Sequence, residues 1–329
     1  MVVDPSISRL RSHGRAPSSV TPPRHYRSPS NFSLISETSV ASAQASSSSP
    51  GIVFHPLRRL VASYGKPTTM DVNGVIAVGT EKGFTVIYSF GQEVRCVLSS
   101  LSTPVTCVSI SPDSTWVGVG HATGEIYLYD LATPGKAARQ VRPVTMQQVM
   151  SGRKEGHLNS KILHIGFVGA RHTSIVTGDE HGRAFWWSLG RIMGVESNDV
   201  IRMLGSYQKQ SSLFAMAPLP IGPHGTDQYS LSALLTPSKL VIVGLKPAKT
   251  WYRKMRDVPH LNVGATAWLS AKEEGSDPVL AYSWGRTLRF LKVIASDQTP
   301  DFVLGQQWTA PSPISAMSWY DPNVSRRQP

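Results

Sequence analysis

The sequence predicts an all-β chain folded as a β-propeller behind a disordered tail, and three observations carry that expectation. A strand opening with apolar residues at offsets 0, 3 and 5 recurs at intervals of 57, 51, 50 and 51 residues. A second landmark, in which a small-residue strand, a tight turn and an apolar strand follow one another, recurs alongside the first. The composition, with 16% charged residues, 27 Gly and 24 Pro in 329 residues, suits many short strands and turns better than long helices. Units of this length, each with several short strands, are propeller blades.

Residues 1–50 hold 15 Ser and 6 Pro and show no sustained apolar period, so they read as a disordered tail. Residues 51–329 read as the propeller. The strand openings are Val105, Val108, Ile110; Ile162, Ile165, Phe167; a looser Leu213, Met216, Pro218; Val263, Thr266, Trp268; and Ile314, Met317, Trp319. The turn landmarks lie in 75–90, 116–131, 174–189, 232–245 and 279–293, with turns at Gly83, Gly124, Gly182, Lys239 and Gly285. Glycine at such turns takes a positive φ without a Cβ clash. The count is about five blades plus the first strand of a sixth. The expectation is therefore a propeller truncated at its C-terminal end, since closure would normally pair the last blade with the first.

Several residues resemble a degenerate WD40 repeat. Gly156-His157 precedes Ile162 where a Gly-His pair would stand, and Ser111-Pro112-Asp113-Ser114 resembles the turn after a first blade strand. Tyr129-Asp130 stands five and six residues after Gly124, at the place of Trp-Asp, and Trp187 holds the same offset from Gly182. Tyr129 and Trp187 then read as packing between blades, and His157 as joined to an acid such as Asp179 in a blade-internal network. Asp179-Glu180 reads as a solvated pair on a turn.

The formal net charge is +12, but the cations are scattered rather than gathered in the stripe that nucleic acid selects. Two cysteines, Cys96 and Cys107, exclude a disulfide scaffold and a four-ligand zinc site and read as free thiols. No GxSxG or HExxH motif is present, and Gly65-Lys66-Pro67-Thr68-Thr69 lacks phosphate-loop spacing. The dispersed histidines, His121, His157, His164, His172 and His181 among them, read as structural or solvent-facing. The chain is thus expected to be no enzyme, with no cofactor, metal or small-molecule substrate.

Residues 174–208, 232–251 and 307–323 are similar to the vacuolar-protein-sorting protein eight family, a subunit of the CORVET tethering complex. The most discriminating stretch is the insertion GRIMGVESNDVIRMLG (190–205). The resemblance implies the N-terminal propeller of a longer tether that binds an endosomal Rab GTPase and sister subunits. It implies a cytoplasmic protein held peripherally on endosome or vacuole membranes through those partners. Within the insertion, Arg191, Ile192, Met193, Arg202 and Met203 are the candidate partner-binding residues, because apolar side chains flanked by Arg suit interfaces. Ser197-Asn198-Asp199 is expected to cap a short helix from Val200. The alternative function is a nuclear or ribonucleoprotein WD40 scaffold whose basic surface holds nucleic acid.

Overall fold

A computed structural model describes residues 55–319 except 100, 194, 257–262, 272–274 and 297–298, with backbone only for 55–58, 192, 195 and 196. Every described residue belongs to the unit Val53–Pro329. The proposed tail lies outside the described residues.

Helix α1 (His55–Tyr64) precedes five antiparallel four-stranded sheets, each made of consecutive strands. The first sheet holds β1 (Pro67–Asn73), β2 (Val75–Thr80), β3 (Phe84–Tyr88) and β4 (Val94–Ser99). The second holds β5 (Val105–Ile110), β6 (Trp116–His121), β7 (Ile126–Asp130) and β8 (Arg139–Val141), followed by the short helix α2 (Met146–Met150). The third holds β9 (Ile162–Phe167), β10 (Ser174–Asp179), β11 (Ala184–Ile192) and β12 (Val195–Leu204). The fourth holds β13 (Ala215–Pro218), β14 (Ser232–Leu235), β15 (Lys239–Leu245) and β16 (Ala248–Met255), and the fifth β17 (Gly264–Leu269), β18 (Val279–Trp284), β19 (Thr287–Ala295) and β20 (Pro300–Thr309).

The first strands β1, β5, β9, β13 and β17 pack in succession and form the inner edge of the array. The middle strands are the most apolar, and they carry the core because both faces of each inner sheet meet a neighbour. β2, β6, β10, β14 and β18 are almost wholly buried. Apolar clusters fill the spaces between sheets: Val75, Ala77 and Ile87 of the first meet Val117, Val119 and Tyr129 of the second, and Ile126, Leu128 and Val141 meet Ile175, Phe185 and Trp187 of the third. Leu60 of α1 covers the other face of the first sheet, against Val78, Val86 and Tyr88.

Polar stitches join the inner strands. The Thr68 hydroxyl donates to Val105 O (2.6 Å), Thr106 to Ile162 O, His164 Nε2 to Leu213 O (3.0 Å) and Trp268 Nε1 to Ala217 O (2.9 Å). Each satisfies a carbonyl that the sheet ladder leaves open.

Three expectations change in detail. Residues 313–319 form no strand among the described residues, although Ile314 N donates to Gly285 O (2.8 Å). Trp319 also donates its indole N–H to Ala267 O (3.1 Å), as Trp268 does one sheet earlier. Lys239 is not a turn residue but opens β15, and the turn is closed by the Thr236 hydroxyl accepting from Lys239 N (3.0 Å). The helix expected from Val200 is instead strand β12, whose Val200 and Ile201 pair with Trp187 and Trp186; β-branched and aromatic side chains favour that pairing. Lys66-Pro67-Thr68-Thr69, whose spacing already excluded a phosphate loop, leads into strand β1.

Candidate interaction site on the third sheet

The third sheet contains a buried relay. Trp187 Nε1–H donates to Thr177 Oγ1 (2.8 Å), the Thr177 hydroxyl donates to His157 Nε2 (2.8 Å), and His157 Nδ1–H donates to Asp179 Oδ2 (3.0 Å). Every hydroxyl and ring nitrogen is used once in one direction, which fixes the His157 tautomer. Asp179 Oδ1 accepts the backbone N–H groups of His181 and Arg183 (3.0 Å each), and Oδ2 also accepts from Ser160 and from Arg183 Nε (2.8 Å). Asp179 is 0% exposed, which corrects its reading as a solvated turn acid; Glu180 alone faces solvent.

Burial pushes the Asp179 carboxyl up, but the hydrogen bond from His157 and the amide and guanidinium of Arg183 outweigh it and hold the group below the usual carboxylate range, at about 2. Burial pushes His157 down, so the ring is neutral. The result is one ionised carboxylate, one guanidinium and a neutral relay, each satisfied. Such an arrangement orients strands and offers no group to a substrate.

The other residues singled out in the sequence lie in the same framework. Gly83, Gly124 and Gly182 have φ of 89°, 93° and 73° in the turns between second and third strands. A Cβ on Gly83 would stand 1.8 Å from Leu101 O, so no side chain fits there. Tyr129 is buried at the first interface between sheets and Trp187 at the second. Asp130 closes the turn after β7 by accepting Ala132 N (2.9 Å). Cys107 is buried and pushed up to about 12 by that burial; Cys96 is half-buried, and both are free. Among the described residues no group of three or more His, Cys, Asp or Glu could hold a metal ion, and no helix is long and apolar enough to cross a membrane.

The insertion that the sequence singled out forms a projecting ribbon. β10 pairs with β11 only between Ala184 and Ser188, whereas β11 and β12 continue together from Leu189–Asn198 to Ile192–Val195. Each strand of the ribbon therefore runs four residues, 189–192 and 195–198, past the part of β11 that pairs with β10. At its tip Met193 adopts φ 50° and is 100% exposed, and Arg191 is exposed beside it. The side chain of Ile192 lies outside the described residues.

Arg202 and Met203 are not part of that tip. Arg202 sits on the body of the sheet opposite Phe185, pairs with Glu155 (3.5 Å) and covers the Tyr207 ring (5.2 Å). Met203 is half-buried against Val176, Leu213 and Leu245. The five candidates thus separate into a tip, Arg191 to Met193, and two residues engaged within the fold. Sequence reasoning missed the relay members Thr177, Ser160 and Arg183. The signal available for Thr177 was its place two residues before Asp179 on the same strand face.

Comparison with solved structures places the fold among WD40-like propellers. The Cps50 (Swd1) β-propeller domain of Myceliophteria thermophila superposes with a TM-score of 0.52 at 15% identity, covering 74% of this chain and 72% of that domain. A chain of the Mitotic Checkpoint Complex gives 0.51 at 11% identity, covering 74% and 67%. These likenesses concern the fold alone. Vacuolar protein sorting-associated protein 8 homologs of mouse and human are each 31% identical over 70% of this chain, and the Saccharomyces cerevisiae protein is 24% identical over 42%. The match spans 16% of the mouse and human proteins and 13% of the yeast protein. The family described as the Vps8 beta-propeller matches residues 59–324, and the chain belongs to that family.

Proposed function

We propose that this chain is a protein-interaction scaffold of a vesicle-tethering complex in endosomal and vacuolar sorting, and that it docks an endosomal Rab GTPase or a sister subunit. The observation that supports this reading most is the ribbon tip. A fully exposed methionine beside an exposed arginine, held on a projecting hairpin, suits a protein surface: methionine adapts to irregular contacts, and arginine is enriched at interfaces. The family membership and the names of the relatives agree with sorting, and the relay agrees with a scaffold rather than a catalyst. Membrane attachment, on this reading, is peripheral and passes through the partners.

The test is recovery of GTP- and GDP-loaded endosomal Rab GTPases, and of sister subunits, on the immobilised chain. The GTP form or a sister subunit should be retained, and Met193→Asp combined with Arg191→Glu should abolish retention without changing the melting temperature. Equal recovery of both nucleotide forms, unaffected by the substitutions, would count against the Rab arm. Absence of every such partner on the intact chain would remove the reading.

A further inference from the structure

Neighbouring blades diverge outward, and between the outer strands of the second and third sheets the divergence leaves a cleft of about 740 Å³. Its floor is closed by the buried side chains of Val141, Val144 and Trp187 with half-buried Val200 beside them, and the surface it offers is largely polar. Asn198, exposed on the ribbon strand beside Val200, supplies an amide that can both donate to and accept from a peptide backbone. The segment that overhangs the cleft is held by the α2 cap, in which Thr145 and Gln148 exchange two hydrogen bonds.

The rim carries one sign of charge. Arg142, Arg153 and Lys154 are exposed at the cleft, and among the described residues no carboxylate lies within ion-pair distance of them. The only acid on the lining is Glu155, which is paired with Arg202 at 3.5 Å. A polar cleft with a backbone-matching amide and unneutralised cations is complementary to an extended peptide bearing carboxylates. Nucleic acid fits less well, because the one aromatic ring on the lining, Trp187, is only 4% exposed and offers no stacking platform.

We propose that the cleft between the second and third sheets binds an extended acidic peptide segment of a partner protein. This surface is separate from the ribbon tip and does not rest on docking there. The test uses the full chain and a fluorescein-labelled peptide about twelve residues long, with Glu alternating with Val or Gly, read by fluorescence anisotropy. A peptide with Lys in place of Glu is the control. Saturable binding of the Glu peptide is expected, weakening as salt rises. The triple reversal Arg142→Glu, Arg153→Glu, Lys154→Glu should weaken it by about tenfold or more.

Two further variants separate the cleft from general attraction to a basic protein. Asn198→Trp fills the cleft without changing charge and should weaken binding. Lys249→Glu, Arg253→Glu, Lys254→Glu removes the same charge from β16 and should leave binding unchanged, as should Met193→Asp at the ribbon tip. Circular dichroism checks that each variant is folded. No saturable binding, equal binding of the Lys peptide, or equal losses from the rim and β16 reversals would overturn the proposal.

Discussion

The second and third sheets share a strand order, a positive-φ glycine between their second and third strands, and an aromatic residue five positions later, Tyr129 or Trp187. They differ in what fills the positions around that aromatic. In the third sheet Thr177 and Asp179 carry the relay to His157. In the second the equivalent positions near the end of β6 are Val119 and His121. Val119 is packed among Val75, Ala77 and Tyr129, and His121 Nδ1 lies 3.1 Å from Thr103 O. The same sheet geometry is thus held once by a closed polar network and once mainly by apolar contact. A hydrogen-bonded network fixes one arrangement but is costly if any member is lost. Apolar contact accepts many residues of similar volume.

The sharpest way to break this comparison is to remove the carboxylate. Asp179→Ala leaves the Arg183 guanidinium and the His157 ring buried without their partner. It should cost about 3–5 kcal/mol, as expected when one partner of a buried pair is lost, and urea unfolding would measure it. A loss below that of a surface substitution would mean the relay is not holding the third sheet.

Acid titration separates the sheets next. Burial lowers the pKa of His121, His157 and His164 in the fold. Unfolded histidines therefore bind protons first, and stability should begin to fall as pH drops below about 6.5 in both sheets. Asp179 is also depressed, from 3.8 to about 2. Its contribution is present above the unfolded value and is lost as pH falls through that window; the loss is on the order of 2 kcal/mol. Denaturation curves across pH should show a larger lower step in the wild type than in Asp179→Asn, where Asp113 and Asp277, also depressed, carry what remains.

The smallest effects come from exchanging the sheets' own solutions. Thr177→Val leaves the Trp187 N–H and His157 Nε2 unsatisfied and should cost about 1–2 kcal/mol. Val119→Thr buries a hydroxyl without a partner and should cost a similar amount, about 1–2 kcal/mol. If Val119→Thr were neutral, the second sheet would be tolerating polarity, and the contrast between the sheets would fail.

The middle strands, and the inner strands of the sheets after the first, were legible in the sequence because burial on both faces forces apolar runs such as VIAVGT and KLVIVGL. The outer strands were not. β16 reads AKTWYRKM and β20 PDFVLGQQWT, and both are largely exposed, so neither shows the alternation that one buried face would impose. β1 was missed for the same reason, with Met70 and Val72 exposed. The link between His157 and Asp179 was readable from the repeat register. Arg183 was not, since an arginine beside a turn glycine ordinarily faces water, and it takes the ion pair to Asp179, a hydrogen bond to Ser160 Oγ (3.1 Å) and the Tyr207 ring to hold it at 3% exposure. The ribbon's apolar residues marked the insertion correctly as distinctive, but their spacing could not say which were at a tip and which were packed.

The bonds that cross from one inner strand to the next act as a pitch gauge. The two indole bonds, Trp268 to Ala217 and Trp319 to Ala267, span 51 and 52 residues, while the two threonine bonds span 37 and 56. The angular step between blades is therefore set at the axis by one short contact, whatever length of chain lies between. Length can be added at the periphery, as α2 and the ribbon have been, without changing that step. Surface variety in such an array is mechanically independent of its regularity, so a new docking element can be lengthened or lost without refitting the blades that carry it.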